Sequence, residues 1–335
     1  MAIAFVLSSF QFIDFWGGSS NDPIRIVLPS NFPKPLYDVK ITDDGFMLGK
    51  TLFYDPIISA DGSVSCGNCH QASAAFANLN TALSRGINNC NGTRSAPPLF
   101  NLIWQKDYMW DGRLSKMALV PIDAITNPCE MGTDMKTVVT KLKGSPNYQQ
   151  LFAKAFGSAE ITEVKTLEAL SQFTAMLISA DSKYDKVTRK EANYSFTENE
   201  KIGYAIFKQR CNSCHTEPLF TDQSYRNNGL EIKPKDLDRY HFTHNSADIG
   251  KFRVPTLRNI EITGPYMHDG RIYSLKEVLQ HYVAGLKVNG NLDQLLKADG
   301  QIGIPLTATE QLRLIDFLKT LTDVNFINDR RFNNH

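Results

Sequence analysis

The chain is expected to be mainly α-helical, with two related domains and long irregular loops, and three observations carry that expectation. The first is an internal repeat. Setting residues 97–114 against 255–272, a shift of 158, matches Pro97, Leu99, Asn101, Tyr108, Met109, Asp111, Gly112 and Arg113 with Pro255, Leu257, Asn259, Tyr266, Met267, Asp269, Gly270 and Arg271. Self-similarity at one fixed spacing and without a gap is the mark of a duplicated unit. The second is apolar spacing near the helical period, clearest in Leu312, Leu314, Ile315, Leu318 and Leu321. The third is that strand-like alternation is scarce, while glycine and proline punctuate long loops.

In chain order, helices are expected at Asp43–Tyr54, Met135–Lys143, Asn147–Phe156 and Glu163–Ile178. A polar run, Asp181–Glu200, with Lys183, Asp185, Lys186, Arg189, Lys190 and Glu191, marks the seam between the copies. It ends in Thr197-Glu198-Asn199-Glu200, the S/T-x-x-E pattern of a capping box. A helix should start there and carry Ile202, Ala205 and Ile206 inward toward Cys211. Leu275–Val283 and Ala308–Leu321 are the remaining expected helices. Upstream of the repeat, Gly49-x-x-Leu52-Phe53 is echoed by Gly203-x-x-Ile206-Phe207, so the duplication reaches further back. The expected division is therefore 1–25, 26–185 and 190–335.

Residues 1–25 read as an export signal or an N-terminal extension. Ala2–Trp16 has the length of an apolar signal core, and Gly17-Gly18-Ser19-Ser20 supplies the small residues that follow one. Against this, the first cation is Arg25 and Asp14 interrupts the run; the alternative is a strand or helix packed on the body. The 335 residues carry 36 Lys and Arg against 35 Asp and Glu, which excludes binding of nucleic acid through a broad basic surface. No apolar run approaches the ~20 residues that a membrane-spanning helix needs.

The chemistry lies in two copies of one motif. Cys66-Gly67-Asn68-Cys69-His70 and Cys211-Asn212-Ser213-Cys214-His215 are both Cys-x-x-Cys-His, the pattern of covalent c-type heme attachment. Two thiols three residues apart on one turn can form thioethers with the two vinyl groups of one heme. The next residue then sets its imidazole under the iron as the proximal ligand. A redox dithiol would not need the histidine, and zinc would need a second ligand pair. Two hemes are therefore expected, held by Cys66, Cys69 and His70 and by Cys211, Cys214 and His215. Heme attachment of this type occurs outside the cytoplasm, which favours an exported, periplasmic protein. Cys90 and Cys129 remain: a disulfide, two buried thiols or a thiolate on iron are the alternatives, and a disulfide needs their Cα atoms within ~7 Å.

Function turns on the face of each iron opposite the proximal histidine. The first domain has no other histidine before His215, so it cannot supply a second imidazole, and the first heme is expected to be open or water-bound. Met109 and Met117 are better read as core. For the second heme, Met267, His268, His281 and Tyr282 are all candidates.

Leu48-Gly49-Lys50-x-Leu52-Phe53-Tyr54-Asp55-Pro56, Ser65-Cys66-x-x-Cys69-His70, Trp110-Asp111-Gly112-Arg113, Asn127-Pro128-x-Glu130-Met131-Gly132 and Pro255-Thr256-Leu257-Arg258-Asn259 leading to Pro265-Tyr266-Met267-His268-Asp269-Gly270 together resemble the bacterial diheme cytochrome c peroxidases and the related MauG-type enzymes, over roughly residues 43 to 322. The resemblance implies two cytochrome c-like domains, with a peroxidatic heme in the first and an electron-accepting heme in the second. It implies that Trp110 lies between the hemes and assists electron transfer, and that Glu130 is the distal carboxylate that handles protons. Tyr282, 14 residues after His268, falls where the family has the sixth ligand of the second heme, Met in the peroxidases and Tyr in MauG-type enzymes. The resemblance further implies a dimer and one calcium ion between the hemes, although Ser95 stands where the family has an asparagine ligand. Residues 71–109 contain no histidine, so the displaceable ligand of peroxidases that need reductive activation is missing. The expected activity is reduction of hydrogen peroxide to water with electrons from a small cytochrome c or cupredoxin. The alternatives are oxidation of a protein substrate, as in MauG-type enzymes, and a pure electron-transfer cytochrome.

Overall fold

A computed structural model describes residues 26–79, 81–297 and 300–334; the expected export segment, residues 1–25, lies outside the described residues. The first half carries α1 (Asp43–Tyr54), α2 (Cys66–Cys69), α3 (Val120–Thr126), α4 (Met135–Lys143), α5 (Pro146–Phe156) and α6 (Glu163–Ala175). The second carries α7 (Lys183–Thr188), α8 (Glu198–Arg210), α9 (Tyr240–Thr243), α10 (Leu275–Gln280), α11 (Ala308–Lys319) and α12 (Val324–Ile327). Strand structure among the described residues is one two-residue antiparallel pair, β1 (Tyr225–Arg226) with β2 (Phe252–Arg253).

The duplication is visible in how helices cross. Gly49 of α1 lies so close to α6 that a β-carbon would overlap the Ala169 carbonyl, and Gly203 of α8 meets the Arg313 carbonyl of α11 in the same way. Glycine is required at both positions because two backbones touch there. One turn on, Phe53 packs on Phe173 with ring centroids 4.9 Å apart, and Phe207 packs on Phe317 at 5.2 Å.

The repeat segments then stop the second helix of each pair. Asn101 and Asn259, both at positive φ, donate their amides to the carbonyls of Leu177 and Leu321 at 2.8 and 3.1 Å. α6 ends at Ala175 rather than Ile178 and α11 at Lys319 rather than Leu321, and the repeat loops bind the chain just past each end. α5 starts at Pro146, one residue earlier than expected, because proline is tolerated in the first helical turn. α10 ends at Gln280, and the chain continues through a π-helical turn, His281–Gly285.

The polar seam is not a solvated tether. Ser182 caps α7 in a capping box with Asp185, and Asp185 forms an ion pair with Arg258 in which both side chains have 0% exposure. Arg258 also donates to the Pro218 carbonyl and stacks on Phe32 at 4.4 Å. Apolar residues gather in two clusters, one around Phe53, Phe76, Phe152 and Phe173, the other around Phe207, Phe220, Phe317 and Leu318. Phe326 and Phe332, near the C-terminus, return to the first cluster. Among the described residues no helix is long and apolar enough to cross a membrane.

Candidate heme and redox site

Local bonding explains how each motif is shaped. The Ser65 amide and hydroxyl donate to Asn68 Oδ1 at 2.8 and 2.7 Å, fixing the turn that carries Cys66 and Cys69. His70 ends that turn, its amide donating to the Cys66 carbonyl at 2.9 Å. In the second copy the His215 amide donates to the Cys211 carbonyl at 2.9 Å. His70 Nδ1 donates to the Phe76 carbonyl at 2.9 Å, and His215 Nδ1 lies 3.1 Å from the Pro255 carbonyl. Each ring is thereby left with Nε2 as its free lone pair, the arrangement that orients a metal-ligating imidazole. Burial pulls His70 down to about 4 and lowers His215 as well, so both stay neutral, as a ligand must. The four motif thiols are unbridged, and burial pushes Cys66 and Cys211 up to about 12. These residues fit a covalently attached heme at each motif.

The surroundings of the two thiol pairs differ. Burial chiefly raises the Cys66 and Cys69 thiols, and the Glu130 carboxylate adds a smaller push in the same direction. Glu130 Oε1 accepts from Asn127 Nδ2 at 2.8 Å, and burial followed by the charge of Asp123 raises its carboxyl above the ordinary value. Its loop is pinned covalently. Cys90 and Cys129 form a disulfide with Cα atoms 5.0 Å apart, and the Ile87 amide donates to the Glu130 carbonyl at 2.9 Å.

Around Cys214 the charged groups are Arg226, Asp222 and Asp293, and Tyr282, in a π-helical turn of the kind frequent at functional sites, is raised by both thiols. Burial pushes its phenol up to about 12, and a hydrogen bond from the Asn228 side chain works the other way. The other candidates are engaged elsewhere. His281 Nε2 donates to the Asn228 carbonyl at 2.9 Å, and Met267 Sδ accepts from Asn228 Nδ2 at 3.4 Å. His268 stacks on Phe252 with centroids 3.8 Å apart. Asn228 was invisible to sequence reasoning, since Arg226-Asn227-Asn228-Gly229 reads only as a turn.

Trp110 lies where the halves meet. Its Nε1 donates to the Ser95 carbonyl at 2.8 Å, its carbonyl accepts from the Arg253 amide at 2.8 Å, and its ring meets Phe252 edge-on at 6.4 Å. It lines a small cleft together with Pro97 from the first copy of the repeat and Pro255 from the second. Arg113 pairs with Asp111 and Asp123, and Arg271 with Asp269 and Glu231, so both repeat arginines sit in salt bridges. Among the described residues no group of three or more imidazole, thiol or carboxylate side chains is gathered to hold a metal.

Residues 43–193 match the family described as Di-haem cytochrome c peroxidase. The methylamine utilization protein MauG of Methylorubrum extorquens is 35% identical over 303 residues, covering 89% of this chain and 83% of its own length. The cytochrome c551 peroxidase of Nitrosomonas europaea is 32% identical, covering 90% and 83%. The crystal structure of a MauG-like protein associated with microbial copper homeostasis superposes with a TM-score of 0.84 at 30% identity, covering 92% of this chain and 99% of that one. With relatives this similar along most of their length, the chain belongs to the diheme cytochrome c peroxidase and MauG family of c-type heme oxidoreductases.

Proposed function

We propose that the protein reduces hydrogen peroxide to water, with peroxide reacting at the heme of Cys66, Cys69 and His70 and electrons arriving at the heme of Cys211, Cys214 and His215. The donor is a small redox protein, a cytochrome c or a cupredoxin, and the compartment is the periplasm. The two hemes would lie in the domains 26–185 and 190–335. The observation that carries this reading is the difference between the two thiol pairs: the partly buried Glu130 carboxylate acts on Cys66 and Cys69, whereas Cys211 and Cys214 act on the partly buried Tyr282 phenol.

Heme supplies the redox chemistry when bound; the chain must manage protons and electron flow. Cleavage of the O–O bond needs a proton removed from one oxygen and delivered to the other, which a single carboxylate over the iron can do as general base and then general acid. Glu130 is suited to it, held by Asn127 and by a loop stapled through Cys90–Cys129. Tyr282 would be the chain's further hold on the second heme, a reading supported by its place in the π-helical turn and by its electrostatic coupling to Cys211 and Cys214. Trp110 is the proposed conductor between the hemes. Each turnover takes two electrons and two protons and yields two waters.

Tyr282 also supports a second reading, oxidation of a protein side chain as in the MauG relatives. Steady-state assay with peroxide and reduced cytochrome c separates the two. Sustained oxidation of cytochrome c in step with peroxide consumption is expected; a ferric protein that reacts with peroxide but turns over no donor would favour the second reading.

A further inference from the structure

Tyr225 belongs to the second half, yet its ring is enclosed by the loop of the first half that bears Trp110. β1 places it opposite Arg253, whose amide donates to the Trp110 carbonyl at 2.8 Å. The phenol rests on Gly112, two residues past Trp110, so closely that a β-carbon there would overlap the hydroxyl. That hydroxyl donates to Asp107 Oδ2 at 2.9 Å, three residues before Trp110. The Arg239 guanidinium covers the ring face at 3.7 Å and donates to the Asp111 carbonyl at 2.8 Å, tying the assembly to the same loop.

A phenol that loses an electron becomes a strong acid, so its oxidation is easy only where a base already accepts its hydrogen bond. Tyr225 has such a base in Asp107, and both lie on or against the short loop that carries the oxidisable indole of Trp110. Among the described residues, the pairs Tyr148 with Asp55 and Tyr184 and Tyr204 with Glu217 belong instead to the two apolar clusters.

We propose that Tyr225 is a second redox station, which returns an electron to oxidised Trp110 while its phenolic proton passes to the Asp107 carboxylate. The O–H bond of Tyr225 breaks, the proton bonds to Asp107 Oδ2, the electron restores the indole, and a neutral phenoxyl radical remains. The oxidant is the heme pair after reaction with hydrogen peroxide, so this proposal rests on the function proposed above. It gives the oxidising equivalent an outlet from the inter-heme region toward Arg239 when no donor protein is bound.

The test is freeze-quench EPR of the ferric holoprotein mixed with hydrogen peroxide without donor, using protein grown with ring-deuterated tyrosine. The expected result is an organic radical that narrows on deuteration, is lost in Tyr225→Phe, and grows more slowly in Asp107→Asn. Tyr225→Phe keeps the ring that packs on Gly112, and unaltered heme absorption would verify its fold. A deuterium-sensitive radical that persists in Tyr225→Phe overturns the proposal, as does the absence of any tyrosine radical in the wild type. In either case, if peroxide still consumes the high-spin ferric signal, only the Tyr225 station falls and the peroxidase reading stands. If peroxide leaves the ferric spectrum unchanged, both fall.

Discussion

Trp110 and His268 occupy the same position in the two copies of the repeat, and Ser95 joins them: its carbonyl accepts from Trp110 Nε1 at 2.8 Å, and its amide donates to the His268 carbonyl at 2.7 Å. Phe252 makes a second link, edge-on to the indole and stacked on the imidazole. The duplicated segments thus meet through corresponding residues that have diverged, one toward an oxidisable indole and one toward an imidazole. The Asp-Gly turns beside them are covered reciprocally, Gly112 by Tyr225 of the second half and Gly270 by Ala82 of the first.

Replacing Trp110 with Phe keeps an aromatic ring in the cleft and removes the Nε1 bond to Ser95 and the oxidisable indole. Donor-dependent turnover should fall by about tenfold or more, equivalent to ~1.4 kcal/mol on the barrier. The first reaction with peroxide, followed by heme absorption, should stay near wild type. Equal loss in both steps would mean that Trp110 only holds the fold.

Glu130→Gln should slow the reaction with peroxide by roughly 10²–10⁴-fold, the range for loss of a positioned acid–base group, with heme content intact. The ionised form is needed to take the first proton, so the wild-type rate should decline as pH falls through a value above the ordinary 4.5, because burial and Asp123 raise this carboxyl. Glu130→Gln should lack that limb. A stopped-flow pH profile with the same limb in both proteins would remove Glu130 from the role.

Tyr282→Phe should alter the low-spin heme spectrum alone, whereas His281→Ala should leave it near wild type, because His281 Nε2 is spent on the Asn228 carbonyl. A ligand change in His281→Ala, read by EPR g-values, would reverse the assignment.

Arg258→Met should cost about 3–5 kcal/mol in denaturant unfolding, the usual penalty for stranding one member of a buried ion pair. Arg258 and the other hydrogen-bond donors hold the Asp185 carboxyl below its ordinary 3.8 despite burial. The stability this pairing contributes is therefore complete at neutral pH and is lost as pH falls from about 3.8 through the depressed value. A variant as stable as wild type at pH 7 would show that the pair does not hold the seam.

Much of this was legible in the sequence because the repeat and the heme motifs are local patterns. Thr197 and Glu200 announced α8, and the spacing of Cys66, Cys69 and His70 announced a heme without reference to the rest of the chain. What was hidden depends on long-range contacts. The polar residues around Asp185 marked only a seam between the copies, and the arrival of Arg258, 73 positions away, makes them a buried joint. The expected helices overran at Ala175 and Lys319, just before the carbonyls that Asn101 and Asn259 engage from afar. Asn228 and Tyr225 carried no signal, since nothing local says that one engages Met267 and His281 or that the other packs on Gly112.

The account stands on one asymmetry between two similar hemes, and EPR of the as-isolated ferric holoprotein, with and without peroxide, tests it most directly. One high-spin and one low-spin ferric signal are expected, with peroxide consuming the high-spin signal. Two low-spin signals that peroxide leaves unchanged would contradict it and leave a diheme electron carrier.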